Sequence, residues 1–132
     1  MATRESLESA RAWMEKSAHD LEAARLLIRQ ERRLLDIAVY HCQQSAEKAL
    51  KAWLTANETV FPKTHSLEDV LDLCLPTNAD FEQFRDHCEK LTPLVHEFRY
   101  PDEVDQPDPD RAAEVLKLAE ELYAFCKEQL AG

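Results

Sequence analysis

Residues 40–53, YHCQQSAEKALKAW, concentrate the groups most able to do chemistry: one histidine, two glutamines, one glutamate and two lysines. At about 100° of rotation per helical residue these side chains sort into two sets. His41, Gln44, Lys48 and Lys51 fall on the face opposite the apolar stripe, as a solvated polar face or a small cationic patch. Gln43 and Glu47, one turn apart, fall at the edge of the apolar face as a structural polar pair. A carboxylate placed there needs a donor or counter-ion to answer its desolvation. Arg99 in the segment FRYPDE is a candidate, because a guanidinium offers a planar fork to a carboxylate. Together Lys48, Lys51, Lys63, His65, Arg99 and Tyr100 make a candidate ligand-binding patch, suited to a phosphate or an acidic partner surface.

Other chemistries find no support in the residue spacing. The four cysteines, Cys42, Cys74, Cys88 and Cys126, form no CxxC pair and match no structural zinc spacing, and they are expected as buried free thiols. No histidine has a glutamate three residues before it, as a di-iron bundle requires. The single glycine is Gly132, so no glycine-rich loop is available to cradle a phosphate. No metal, cofactor or catalytic residue is assigned on these grounds.

Charge narrows the partners. Sixteen basic against 26 acidic residues give a net charge of −10, the reverse of the broad basic face that grips long nucleic acid. No apolar run approaches the ~18 residues of a membrane span, and the first residues carry no signal-peptide core. A soluble, cytoplasmic protein is expected.

The elements that must position these groups are helical. One glycine among 132 residues leaves few β-turns, and Ala, Leu, Glu, Lys and Arg are abundant. The three- and four-residue spacing of apolar side chains predicts five helices. The first runs from about Thr3 to Gln30 and the second from about Leu34 to Asn57. A short third follows Ser66, whose spacing to Asp69 is that of a capping pair, and Pro76 ends it. The fourth begins near Asp80 and carries its apolar face to Phe98, with a kink expected at Pro93. The fifth starts at Asp108 as cap with Pro109 in its first position. Five such helices predict a single all-α domain over residues 1–132, an up-and-down bundle.

Three segments, YHCQQSAEKALKAWL, KTHSLEDVL and LTPLVHEFRYPDE, together resemble the HEPN family (higher eukaryotes and prokaryotes nucleotide-binding domain). They occur in family order over residues 40–103. The resemblance implies a helical bundle, a homodimer, and pairing with a minimal nucleotidyltransferase, often as a toxin–antitoxin system. It also implies nucleotide binding as an alternative. Many such domains are metal-independent ribonucleases whose Arg is followed by a polar residue and, four to six positions after the Arg, by a His. Arg99 matches that Arg, but YPDEVDQ follows and holds no His. RNA cleavage is therefore not expected. Leu26 and Ile37 fall off the main apolar faces, and Trp13 lies at the margin; these residues would remain to be covered in a homodimer.

Overall fold

The computed structural model describes residues 2–95 and 107–132. The described residues are all-α, with five α-helices: α1 Arg4–Gln30, α2 Leu35–Ala56, α3 Leu67–Cys74, α4 Arg85–Leu91 and α5 Pro109–Ala131. Three 3₁₀ segments, Arg32–Leu34, Ala79–Phe84 and Thr92–Val95, link them. Among the described residues no helix is long and apolar enough to cross a membrane.

Local chemistry sets most boundaries. Thr3 caps α1 with Ser6 in a reciprocal capping box: the Ser6 N–H donates to Thr3 Oγ1 at 3.0 Å and the Thr3 N–H donates to Ser6 Oγ at 2.8 Å. Ser66 and Asp108 cap α3 and α5 through the N–H groups of Asp69 and Arg111, as their spacing predicts, and Pro109 opens α5. α2 ends in a Schellman arrangement, with Thr59 N–H on Leu54 O at 2.9 Å and Glu58 N–H on Thr55 O at 3.1 Å. The residue in the left-handed position is Glu58, at φ 55°, where glycine is the usual occupant.

The expected fourth helix is broken into pieces. Residues 79–84 wind as 3₁₀, α4 covers only two turns, and Thr92–Val95 is again 3₁₀. Pro93 lacks the N–H and crowds the preceding turn, so the α-helix cannot run on through it. Thr92 gains a separate task there: its hydroxyl accepts from Leu67 N–H at 3.0 Å and donates to Glu68, closing the start of α3. The stretch toward Phe98 lies outside the described residues.

α1 and α2 form an antiparallel hairpin, and Ser6 near Ala56, Ser17 near Ser45 and Asp20 near His41 fix its register. α5 runs antiparallel to α1, with Arg25 paired to Glu120 at 2.8 Å, and hence parallel to α2. The α3–α4 segment makes the return between them. α2 packs against α1, α3 and α5 and is the central element. Small residues recur on it at four- and three-residue steps, Ala38, Cys42, Ser45, Ala49, Ala52 and Ala56, and all are buried. Such a seam lets a neighbouring backbone approach closely, and the Ser17 hydroxyl donates to Ser45 O across it at 2.7 Å. On the other side of α2, Leu50 and Leu54 join a core with Phe81, Phe84, Leu91 and Leu122.

Candidate functional site

Two buried carboxylates organise the polar groups around α2. Asp20, on α1, receives His41 Nδ1–H at 2.8 Å on one oxygen and Lys48 Nζ at 2.7 Å on the other. Glu47, on α2, meets Lys51 Nζ at 3.0 Å and His65 Nδ1 at 2.9 Å, with Gln43 Nε2 at 3.4 Å. A carboxylate can only accept, so Nδ1 of each histidine carries the proton in these contacts. Gln43 is wholly buried and ties the second cluster together: its amide also donates to His65 O at 3.4 Å, and its carbonyl accepts from Gln44 at 2.7 Å.

Burial by itself raises the pKa of both carboxyls, because the charged form loses water. Hydrogen bonds and the nearby positive charge outweigh that. His41 and Lys48 hold Asp20 below its ordinary range, and His65, Lys51 and Gln43 do the same for Glu47. Both groups are therefore ionised and firmly bound at neutral pH.

Lys51 departs from the sequence expectation. The helical wheel puts it on the face opposite the core, yet it is only 8 % exposed. The reason is that two aromatic rings, Trp13 of α1 and Phe61 of the loop after α2, cover the position that would otherwise meet water. The Lys51 ammonium lies 5.8 Å from the Trp13 ring centroid and 5.4 Å from that of Phe61, and the two rings meet edge to face. His41, Gln44 and Lys48, expected on the same solvated stripe, are half-buried instead, His41 and Lys48 against Asp20 of α1 and Gln44 on Gln43.

Of the expected ligand-binding residues, Lys51 and His65 come together on Glu47, whereas Lys48 serves Asp20 about a turn along α2. Lys63 is exposed in the loop after α2. Arg99 and Tyr100 lie outside the described residues, so the suggested Arg99–Glu47 pair does too; the partners Glu47 has here are Lys51, His65 and Gln43. The expected Gln43–Glu47 pair is present.

Asp20 is absent from the residues the sequence singles out. Its signal is nonetheless there: Ser17, Asp20 and Ala24 continue the buried stripe of α1 at three- and four-residue steps, so an acid at that position has to meet a partner. The thiols offer no nucleophile at neutral pH. All four cysteines are free and buried, and burial pushes Cys42 and Cys88 up to about 12 and raises Cys74 and Cys126 as well. Among the described residues no three His, Cys, Asp or Glu side chains gather to hold a metal ion.

The comparisons with known proteins agree with this architecture. The family model of the HEPN domain matches residues 10–129. A solved structure from Thermus thermophilus is similar at 31% identity, covering 90% of this chain and 96% of the other, with a TM-score of 0.76. An archaeal HEPN homologue is similar at 24% identity, with 92% and 97% covered and a TM-score of 0.69. An HEPN domain protein of Thermotoga maritima, at 23% identity over 97% and 98% of the two chains, has a TM-score of 0.55. No curated protein matches the chain.

Proposed function

The chain belongs to the HEPN domain family, and from that premise we propose that it is a dimeric interaction subunit that partners a minimal nucleotidyltransferase, as in a toxin–antitoxin pair. The observation that supports this most is the apolar surface left at the hairpin end of α1 and α2. Leu26, in the last turns of α1, is 43% exposed, and Ile37, in the first turn of α2, is 42% exposed. Side chains of this kind at a shared end suit coverage by a second chain. Catalysis is the weaker reading. A ribonuclease acting by general acid–base chemistry needs a titratable group poised at the cleavage site. The residues after Arg99 supply no histidine, and His41 and His65 each have a carboxylate engaged.

The test is calorimetric titration of the full chain with a purified minimal nucleotidyltransferase from the same genome, alongside ATP and a single-stranded RNA. Saturable binding of the protein, with no RNA cleavage, is expected. Saturable ATP binding that Arg99→Ala abolishes, without binding of the protein, would move the function to nucleotide recognition. RNA cleavage that stops in Arg99→Ala would make the protein an enzyme.

A further inference from the structure

The start of α1 and the end of α5 enclose a groove of about 370 Å³, lined by none of the residues of the Asp20 and Glu47 clusters. Its apolar walls are Leu7, Ala10, Met14, Leu130 and Ala131. Two cations, Arg11 and Lys127, stand at its rim and no carboxylate lines it. In a chain of net charge −10 that is an unusual local excess of positive charge. Elsewhere on the same two helices Arg4 and Arg25 pair with Glu8 and Glu120. Among the described residues neither Arg11 nor Lys127 has an ion-pair partner.

We propose that this groove binds a small amphiphilic carboxylate, an aliphatic acid of about eight carbons, with its chain on the apolar walls and its carboxylate between Arg11 and Lys127. The charge complementarity selects an anion, and a guanidinium gives it a two-pronged hydrogen bond. The apolar lining selects an alkyl tail over a bare anion. Met14, unbranched and polarizable, adapts to such a tail. The groove extends along α1 only from Leu7 to Met14, two turns or roughly 10 Å at 1.5 Å per residue. That matches an extended eight-carbon chain. It is too short for the run of anchors over several turns by which a partner helix docks in a groove.

The experiment is NMR and calorimetric titration of the full chain with octanoate, 1-octanol and acetate, all below aggregating concentrations. Octanoate is expected to saturate one site per chain and to shift the methyl signals of Leu7, Met14 and Leu130. Octanol should bind about tenfold more weakly, the loss of one charge-assisted contact, and acetate should not saturate. Arg11→Gln/Lys127→Gln changes only exposed side chains; it should weaken octanoate by about the same factor and leave octanol unchanged. Three results would overturn the proposal: no saturable octanoate shifts at these methyls, equal binding of octanoate and octanol, or octanoate binding that ignores the double substitution. A dimer that dissociates in the double variant, with no octanoate binding to the wild type, would instead assign the groove to a second copy of the chain.

Discussion

The two sides of α2 are built on different physics. Toward α3, α4 and α5 it meets leucines, thiols and aromatic rings: Phe81 lies 5.0 Å from Phe125, edge to face, and 5.4 Å from Trp53, tilted, centroid to centroid. Toward α1 it meets small residues and charge, with Asp20 of α1 held by His41 and Lys48, and toward the loop before α3 Glu47 is held by Lys51 and His65. An apolar core gains stability in proportion to the surface it buries and is indifferent to pH. A buried ion pair gains little net stability, because desolvation offsets the attraction, but it is intolerant of losing one member. The α1 side therefore fixes how the hairpin docks more than how strongly it holds. Of the six residues taken from sequence for a ligand patch, Lys48 is engaged in that docking, and Lys51 and His65 are engaged with Glu47.

Substitutions on the two sides should separate these roles. The largest loss is expected on the apolar side: Phe81 is fully buried, and Phe81→Ala should cost about 3–5 kcal/mol by thermal or denaturant unfolding. On the charged side, Glu47→Ala strands Lys51 in its aromatic setting and should cost about 3 kcal/mol. Glu47→Leu/Lys51→Met, which removes both charges, should cost far less than the sum of the single changes. Additive losses in that cycle would mean that the two charges do not depend on each other.

Acid sharpens the contrast. Because Asp20 and Glu47 titrate below their ordinary range when folded, their contribution is complete above the unfolded carboxylate pKa, about 4. It is lost as pH falls through the lower folded values. Melting temperature should thus fall more steeply below about pH 4 in the wild type than in Asp20→Asn/Glu47→Gln. Phe81→Ala should keep the wild-type acid slope from a lower starting point. The smallest effect is local: Glu58→Gly relieves a left-handed backbone at the end of α2 and should stabilise by about 1 kcal/mol, with no change in acid slope.

What is legible in the sequence follows the same division. Caps and stops are local, so Thr3, Ser66, Asp108 and Pro109 mark real boundaries, and the apolar periodicity of α1, α2 and α5 gives the bundle. The fourth helix reads as too long, because apolar spacing continues through Pro93 whereas the hydrogen bonding does not. Lys51 is misplaced for a different reason. A helical wheel tells which face is apolar, but only the tertiary arrangement brings Trp13 of α1 and Phe61 of the following loop over Lys51. The need of Glu47 for a partner is visible in the sequence, yet the distant Arg99 draws attention from nearer cations: Lys51 stands one turn away on the same helix, at the spacing that favours a Glu-to-Lys pair.

The central functional claim is that Leu26 and Ile37 are covered by a second chain. Light scattering of the purified protein at micromolar concentration tests it most directly. Twice the 15.2 kDa chain mass is expected, returning to the single-chain mass in Leu26→Glu/Ile37→Glu with the fold intact by circular dichroism. A wild-type protein that scatters as a 15.2 kDa monomer would contradict it.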